Sequence, residues 1–420
     1  MRWLPERPWR RAAQQPASGR RLLLVHPSAE LYGCDRMLVQ SVRALAPHWD
    51  LHVALGRDGP LVGACREAGA RTEVLALPML HKGMFTVRGL SRFVRDTVRG
   101  VLAARRLVHV ERPDLVYVNT VTVPAWLLVA RSAGIPAICH VHEAEEAVPA
   151  LVRWMLAVPL RLARSVLANS EAARGVLVRS DRRLAGRIRV VHNGVPGPAA
   201  DPAPLRDRLD GDVRLLLVGR LAHRKGSDVA VEALRLLGER GIGARLTLAG
   251  DAAAGYDGYV EGLRDQVTRA GLTDRVTFGG FVPDVWGLHG AADIVLVPSR
   301  WEPFGNVAVE GMLAGRPVIS SDAQGLPEIV EDTRSGLVVP AGDAVALAGA
   351  VERLVADWPW ARRLAATGQV RARSRFGTDR YARQLQEFMS DQAAERGRTD
   401  QAAERGRTGM AAERGRTGMG

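Results

Sequence analysis

The sequence predicts an α/β fold in which two doubly wound parallel-sheet domains face a central cleft. Short runs of Val, Leu and Ile alternate with segments of helical periodicity along most of the chain, which is typical of parallel strands buried on both faces. With 420 residues, 47% of them hydrophobic, the chain can form two cores. A segment rich in Pro, Gly and Asp at 193–212 separates two such blocks and indicates an interdomain linker.

Apolar runs on both sides of this linker are predicted to form strands. They are Arg21–His26, Leu51–Leu55, Leu115–Asn119, Ala137–His142, Ser165–Asn169, Val213–Gly219, Arg245–Ala249, Val276–Gly279, Ile294–Pro298, Pro317–Ser320 and Gly336–Val339. Helical periodicity is clear at Val229–Glu239 and Ala344–Ala356. Because ligands bind doubly wound sheets at the carboxyl ends of the strands, a site is expected in the loops that follow them.

The domain boundaries follow from these blocks. We expect a basic, disordered extension at 1–20, a first domain at 21–195, a second domain at 196–375, and a helix at 376–390 that returns to the first domain. Residues 391–420 consist mainly of a nine-residue repeat with almost nothing to bury, so we expect a disordered tail.

Composition and charge limit the class of protein. The net charge is +13 and the excess lies in residues 1–195, whose partner is therefore expected to be anionic. The three cysteines, Cys34, Cys65 and Cys139, have no CxxC spacing, which favours a reducing compartment and argues against structural zinc. No apolar run has the length of a transmembrane helix, and the N-terminus lacks the apolar region of a secretory signal. We expect a cytoplasmic protein.

The segment "VGRLAHRKG" at 218–226 places two cations after a strand and before a helix. Arg220 and Lys225 lie on the loop at the carboxyl end of the strand, and the helix is expected to be capped near Ser227 or Asp228. Fixed cations beside a helix N-terminus suit a diphosphate. The alternative is a solvated turn with two surface cations. The loop is not a P-loop, because GxxxxGK[ST] is absent.

The segment "WEPFGNVAVE" at 301–310 places one glutamate on each side of a turn from strand to helix. Asn306 is a plausible N-cap, which would leave the N–H groups of residues 307–309 free for an anion. Glu302 and Glu310 can each accept hydrogen bonds from paired hydroxyls of a sugar or ribose. The alternative is a loop glutamate and a helix acid near the positive end of the helix dipole. Together with two nearby cations, the acids suggest a nucleotide-sugar.

These motifs together resemble the retaining glycosyltransferases of family 4, which have the GT-B fold of two Rossmann-like domains. The matching segments are "VGRLAHRKG", the two glutamates within "EPFGNVAVEGMLAGRPVISSD", "GLPEIVEDTRSGLVV" at 325–339, and "VVHNGV" at 190–195. They occur in the family's order, and the resemblance extends over roughly 21–390.

The resemblance implies that the first domain, at 21–195, binds the acceptor and that the second domain, at 196–375, binds the nucleotide-sugar donor. It also implies a role for each matching residue of the second domain. Arg220 and Lys225 would hold the diphosphate of the sugar donor, Glu310 the ribose hydroxyls and Glu302 the hydroxyls of the transferred sugar. Backbone groups of four further residues would approach the sugar and phosphate. They are Phe304, Gly305, Asn306 and Gly325.

Two segments of the first domain also match the family. "SAELYGCDRML" at 28–38 resembles the glycine-bearing loop after the first strand, with Gly33 in place of the usual pair. His142, followed by Glu143, matches the His-acid pair that would lie near the anomeric carbon of the sugar donor, where the resemblance implies a hydrogen bond from His142 to the sugar. The alternative for His142 is a structural histidine at a domain interface. His140 points the other way along the strand and fits that structural role better.

The expected function is therefore the retaining transfer of a sugar from a UDP- or GDP-sugar to a hydroxyl acceptor. No metal or other cofactor is implied, since the only DxD, Asp210-Gly211-Asp212, lies in the linker and reads as a turn. A sugar, lipid-linked or polysaccharide acceptor would fit cell-surface polysaccharide or glycolipid biosynthesis.

Residues 85–106 suggest contact with an anionic membrane surface. Arginines at helical spacing form one cationic stripe there, and 151–167 is a second apolar and basic segment. The stripe consists of Arg88, Arg92, Arg95 and Arg99. Such a stripe would place the protein on the inner face of the cell membrane. The alternative is a solvated helix face.

Two other classes of function remain open. The chain could be a catalytically inactive GT-B protein that binds a nucleotide-sugar, or a nucleotide-sugar epimerase of similar fold. The intact pair of glutamates and Lys225 argue against inactivity. An aromatic content of 5% and the absence of an RNA-binding motif argue against nucleic acid as a partner.

Overall fold

A computed structural model describes residues 19–75, 87–144, 146, 148–252 and 257–392. The side chains of 87–94, 96 and 257 are outside that description. Nearly all of the expected extension at 1–20 and of the repeat at 391–420 lies outside the described residues.

The first domain contains a parallel sheet of seven described strands. They are β1 (Arg21–His26), β2 (Asp50–Leu55), β3 (Arg71–Val74), β4 (Leu115–Val118), β5 (Ala137–Val141), β6 (Ser165–Ala168) and β7 (Ile188–Val190). Their order is β3-β2-β1-β4-β5-β6-β7. The helices between them are α1 (Gly33–Leu45), α2 (Pro60–Glu67), α3 (Val87–Glu111), α4 (Ala125–Ser132), α5 (Ala150–Ala157) and α6 (Glu171–Ser180).

The second domain contains a parallel sheet of six described strands. They are β8 (Val213–Val218), β9 (Ala244–Ala249), β10 (Val276–Gly280), β11 (Ile294–Val297), β12 (Val318–Ser321) and β13 (Leu337–Val339), in the order β10-β9-β8-β11-β12-β13. The helices are α7 (Ser227–Glu239), α8 (Asp257–Arg269), α9 (Trp286–Ala291), α10 (Asn306–Leu313), α11 (Leu326–Ile329), α12 (Ala344–Ala356) and α13 (Trp358–Phe376).

Both sheets form because their central strands are apolar on both faces. In β1, Leu22 and Leu24 belong to the core on one side of the sheet, whereas Leu23 and Val25 belong to the core on the other side. All four side chains are almost completely buried. This alternation is the period of a strand, and helices cover both faces.

Two strands were not predicted. Strands β3 and β7 lie at the two edges of the first sheet, and their sequences, RTEV and IRV, contain charged residues. An edge strand needs only one hydrogen-bonded neighbour and buries less surface, so it lacks the apolar run that identifies a central strand.

A final helix returns to the first domain. It begins at 378 and continues at least to 392. Tyr381, Leu385 and Phe388 pack into the core that also contains Leu22, and the Tyr381 hydroxyl lies 2.7 Å from Ser41 Oγ. The chain therefore crosses between the domains twice. In the described part, none of the helices is both long and apolar enough to span a bilayer.

Candidate active site

The carboxyl ends of the two sheets open onto one cleft with a volume of about 370 Å³. Its lining includes all four of the predicted cations and acids of the second domain, together with residues of the first domain such as His142. The four are Arg220, Lys225, Glu302 and Glu310. The cleft is therefore lined by charges from loops that are distant in sequence.

A buried ion pair lies in the wall of this cleft. Lys225 Nζ donates a hydrogen bond to a carboxylate oxygen of Glu302, and Arg224 Nη1 lies 3.8 Å from the same oxygen. Burial raises the pKa of Glu302, but the Lys225 ammonium and Arg224 outweigh this effect and hold the pKa below its ordinary value. Burial lowers the pKa of Lys225, and the charge of Glu302 opposes that shift. The contact between the two groups has the geometry of an ion pair.

A glycine allows the loop that carries Lys225 to pack against the end of β11. Gly226 has φ 70° and would place a Cβ 2.1 Å from the carbonyl oxygen of Pro298, so only glycine fits there. Gly226 is also the N-cap of α7. The predicted cap at Ser227 or Asp228 is therefore wrong, because a left-handed residue turns the chain into the helix one position earlier.

Arg220 reaches across the cleft to the first domain. Its Nη2 donates to Glu30 Oε2 at 2.7 Å, and its guanidinium lies 3.7 Å from the centre of the Tyr32 ring. The guanidinium is thus held by a carboxylate and a cation–π contact at the mouth of the cleft. Of the two predicted cations, Lys225 is the buried one and Arg220 is partly exposed.

The turn before α10 differs from the prediction. Gly305, with φ 114°, is the N-cap and Asn306 is the first helical residue. The N–H groups of Ala308 and Val309 point to the carbonyl of Gly305, at 3.0 and 3.4 Å, so the predicted free amides at 307–309 are not all available to an anion. The Asn306 side chain instead accepts a hydrogen bond from Asn193 at 2.9 Å. Sequence reasoning missed the cap because Asn is the commoner N-cap residue.

Glu310 has two partners that the sequence did not indicate. Its Oε1 lies 3.9 Å from Arg36 Nη1, and its Oε2 lies 3.7 Å from His289 Nε2. Arg36 belongs to α1 of the first domain and also donates to the carbonyl of Pro283 at 2.8 Å. Arg36 and His289 lie within helices and not in loops directly after strands, so a search at strand ends does not find them.

The predicted glycines occupy different positions. Gly33 lines the cleft, and its carbonyl lies 3.5 Å from Asn306 Nδ2. Gly325 is not among the lining residues of the cleft. A Cβ on Gly325 would lie 2.3 Å from the Pro303 carbonyl, and its N–H donates to the Glu302 carbonyl at 3.0 Å. Gly325 therefore supports the loop that carries Glu302.

At the end of β5, His142 and Glu143 both line the cleft. His142 Nε2 lies 3.0 Å from Asn119 Oδ1. Burial moves the pKa of His142 well below its ordinary value, so its imidazole is neutral. Glu143 accepts the backbone N–H of His142 at 3.0 Å and a hydrogen bond from Thr120, while burial raises the Glu143 pKa.

One group of described residues has the composition of a metal site. His26, Cys34 and Asp35 each offer a ligand atom within 4.8 Å of the others. Both ring nitrogens of His26 are already engaged, however, with Asp35 at 2.7 Å and with Asn119 at 3.1 Å. The group fits a hydrogen-bonded network better than a metal centre.

A carboxylate of the second domain joins the two domains behind the cleft. Glu328 accepts the backbone N–H groups of Glu171 and Ala172, at 3.0 and 2.8 Å, in the first turn of α6. It also lies 2.8 Å from His192 Nε2. Because these N–H groups have no partner within the helix, Glu328 completes the N-terminus of α6 from the other domain.

Fold and cleft together define a two-domain α/β protein that binds a ligand between its domains. Two parallel α/β sheets share a cleft at their carboxyl ends, and the cleft presents cations for an anion beside acids for hydroxyl groups. Such an arrangement suits a ligand with a negatively charged group and several hydroxyls, bound between the domains.

Two family models identify the chain further. The model described as Glycosyltransferase Family 4 matches residues 33–196, and the model described as Glycosyl transferases group 1 matches residues 207–371. The chain therefore belongs to the group 1 glycosyltransferases of family 4. The family resemblance deduced from the motifs is confirmed.

Curated relatives are matched over part of their length. Alpha-D-kanosaminyltransferase of Streptomyces kanamyceticus is 30% identical over 251 residues, which are 55% of this chain and 64% of that protein. Lipopolysaccharide core biosynthesis mannosyltransferase LpsB of Rhizobium meliloti is 30% identical over 169 residues, which are 40% of this chain and 48% of that protein. The matches thus span less than two thirds of the length of these relatives.

Solved structures are matched over nearly their whole length. Anabaena Alr3699/HepE in complex with UDP and glucose has a TM-score of 0.75 at 26% identity, and the match covers 88% of this chain and 99% of that one. Its complex with UDP-glucose has a TM-score of 0.76 over the same coverage. Sucrose-phosphate synthase from Thermosynechococcus elongatus, at 24% identity and a TM-score of 0.71, has the same fold over 90% of this chain and all of that one. The predicted GT-B fold is confirmed.

The contact between Glu328 and α6 predicts a pH-dependent contribution to stability. Glu328→Gln should lower the unfolding free energy near neutral pH by about 1–3 kcal/mol, since it removes a charged acceptor of two N–H groups. Burial raises the pKa of Glu328, but His192 and the two amides hold it below its ordinary value of 4.5. A carboxylate with a depressed folded-state pKa stabilises above its unfolded pKa, and the contribution disappears as pH falls through the folded pKa.

Urea unfolding of both proteins between pH 3 and pH 7 measures this effect. The free-energy difference should be largest near neutral pH and shrink below about 4.5, the ordinary pKa of the group. Glu352→Gln is the matched control, because Glu352 pairs with Arg240 on the surface and should contribute less than about 1 kcal/mol. A difference that does not change with pH contradicts the prediction.

Proposed function

We propose that this protein is a retaining glycosyltransferase that transfers a sugar from a UDP-sugar to a hydroxyl acceptor. The observation that carries the proposal is the convergence of Arg220, Lys225, Glu302 and Glu310 on one cleft between two domains. UDP is favoured over GDP because the similar Anabaena protein has been solved with UDP, with UDP and glucose, and with UDP-glucose.

Each charged side chain has a task in this proposal. The diphosphate binds to Lys225 and Arg220, sharing them with the carboxylates of Glu302 and Glu30 that hold them in the structure. Glu302 then accepts hydrogen bonds from hydroxyls of the sugar, and Glu310 accepts them from the ribose. The Lys225 ammonium and Arg224 hold the pKa of Glu302 below its ordinary value, and an ionised carboxylate can accept hydrogen bonds with both of its oxygens.

The reaction exchanges one bond at the anomeric carbon for another. The bond from the anomeric carbon to the diphosphate oxygen breaks, and its electron pair goes to the leaving phosphate. The acceptor oxygen forms the new bond on the same face of the sugar, and its proton goes to the leaving phosphate oxygen. Lys225 and Arg220 stabilise the negative charge that develops on the diphosphate. Because these cations belong to the chain itself, the proposal requires no metal.

Loss of the ion pair tests this function directly. Lys225→Met and Glu302→Gln should each lower kcat/KM for the UDP-sugar at least about 100-fold, since each removes a charge that acts on the reacting sugar or phosphate. Release of UDP from UDP-glucose and other UDP-sugars, with GDP-mannose for comparison, measures the rate. Arg240→Met, on the surface of the same domain, is the control and should retain full activity.

Two outcomes separate this proposal from its alternatives. Near-normal rates in both variants would remove the assignment of the site. An inactive binding protein would bind UDP without ever releasing it from a UDP-sugar, and an epimerase would interconvert UDP-sugars without net release of UDP. A transferase should release UDP slowly without an acceptor and faster with one.

We propose a lipid-linked or polysaccharide acceptor on the side of the first domain. The names of two relatives are Amylovoran biosynthesis glycosyltransferase AmsK and Lipopolysaccharide core biosynthesis mannosyltransferase LpsB, which supports an acceptor of this kind. Helix α5 follows the loop that carries His142 and exposes an apolar face. That face consists of Leu151, Trp154 and Met155, exposed by 65%, 45% and 48%.

This face fits contact with the inner surface of the cell membrane. On α3, Val98 and Leu102 are also exposed, and Arg95 and Arg99 belong to the proposed cationic stripe. The side chains of Arg88 and Arg92, which complete that stripe, lie outside the described residues. An apolar face near basic residues is the combination that binds anionic lipid.

Sedimentation with vesicles tests the membrane contact. Wild-type protein should bind phosphatidylcholine vesicles that contain phosphatidylglycerol, and added salt should weaken the binding. The double variant Leu151→Ser with Trp154→Ser should bind at least about fivefold more weakly because it loses buried apolar area. Val370→Ser, at an equally exposed valine of α13, is the control. The absence of salt-sensitive binding by the wild type would leave a soluble acceptor.

A further inference from the structure

Three neighbouring strands of the first sheet end in a row of buried polar side chains. His26 is the last residue of β1, Asn119 follows β4 and His142 follows β5. These strands are adjacent in the order β1-β4-β5, so the three side chains lie side by side at the carboxyl edge. His26 and Asn119 are almost completely buried, as is Asp35 of α1. Buried polar groups of this kind need partners.

The partners form one continuous chain of hydrogen bonds. Asp35 Oδ1 lies 2.7 Å from His26 Nε2, Asn119 Nδ2 lies 3.1 Å from His26 Nδ1, and Asn119 Oδ1 lies 3.0 Å from His142 Nε2. The second carboxylate oxygen of Asp35 accepts the Tyr32 N–H at 3.0 Å. Asp35 is therefore held in a fixed position, and the series of hydrogen bonds begins at its carboxylate.

The direction of each bond follows from the groups that form it. The Asp35 carboxylate only accepts, so His26 donates to it from Nε2–H. The NH2 group of Asn119 only donates and faces Nδ1 of His26, so that nitrogen presents a lone pair. That lone pair accepts from the Asn119 amide, which leaves the amide oxygen to accept from His142 Nε2–H. His142 is thereby protonated at Nε2, and its Nδ1 has a lone pair.

The last atom in this series of hydrogen bonds, His142 Nδ1, has no partner among the described residues. This nitrogen is buried, and His142 lines the cleft. A buried polar atom without a partner destabilises the folded protein, so a ligand group that pairs with it is favoured. A lone pair in this position can accept from a hydroxyl but is unfavourable next to phosphate or carboxylate, which bring lone pairs of their own.

We infer that Asp35, His26 and Asn119 are positioning residues that hold His142 as a hydrogen-bond acceptor for a hydroxyl group of the sugar substrate. The inference rests on the proposed function for the identity of the substrate. The three residues act through His142 and do not themselves contact the sugar. In this arrangement His142 contributes to binding of the transferred sugar, whereas the cations bind the diphosphate of the UDP part.

Asn119→Ala removes the side chain that connects His26 to His142 in the series of hydrogen bonds. We expect kcat/KM for the UDP-sugar to fall at least about tenfold, the effect of one lost hydrogen bond of about 1.4 kcal/mol. The Kd of UDP, measured by calorimetry, should not change, because UDP lacks the transferred sugar. Unchanged UDP binding also shows that the variant is folded. Asn119→Ser, which leaves room for a water molecule, should lose less activity than Asn119→Ala.

A double-mutant cycle with His142→Ala separates positioning from a general structural role. If Asn119 acts through His142, the variant with both substitutions should be no less active than His142→Ala alone. Losses that multiply in the double variant, or wild-type kcat/KM in Asn119→Ala, would overturn the inference while leaving the proposed function in place.

Nitrogen-15 spectroscopy of labelled histidines tests the inference without any substrate. His142, assigned through His142→Ala, should be a neutral imidazole with its proton on Nε2 at pH 6.5, and Asn119→Ala should yield a mixture of both tautomers. A proton on Nδ1 of the wild-type ring would overturn the inference. If the wild type neither binds UDP nor releases it from UDP-sugars, the proposed function fails, and this spectroscopic result still stands independently.

Discussion

The buried ion pair between Lys225 and Glu302 is the contact on which the cleft depends. Two charges removed from water are stabilised only when each has close partners, and here each is the main partner of the other. The pair can form because β8 and β11 are neighbours in the second sheet, so that the loops after them meet. Gly226 permits the close approach. The sheet order thus determines the chemistry of the cleft.

Charged residues also connect the two domains around the cleft. Arg220 binds Glu30, Arg36 lies near Glu310, and Glu328 completes the N-terminus of α6. The first two contacts use residues that line the cleft, whereas Glu328 lies behind it. A ligand that binds Arg220 therefore shares this side chain with Glu30 of the first domain, while the contact of Glu328 with α6 does not involve the lining of the cleft. Ligand binding and domain contact are coupled through the same side chain.

The sequence allowed most of the fold and part of the cleft to be predicted. Central strands were found because their apolar runs are continuous, and Arg220, Lys225 and the two glutamates were found because they follow such strands. Edge strands β3 and β7 are polar and were missed. The caps of α7 and α10 were misassigned because Gly226 and Gly305 have left-handed conformations, which the sequence does not reveal. Arg36 and His289 lie within helices, so a search at strand ends does not find them, whereas Asn119 directly follows β4 and has the signal of a strand end.

Calorimetric titration of UDP and uridine against wild-type protein and Lys225→Met tests the central claim most directly. The two ligands differ only in the diphosphate. The Kd of uridine divided by the Kd of UDP therefore measures how much the diphosphate contributes to binding in the cleft. The account predicts that Lys225→Met reduces this ratio about 10- to 100-fold, the equivalent of one charged hydrogen bond, and leaves the Kd of uridine unchanged. An unchanged ratio, or an equal loss of affinity for both ligands, would contradict it.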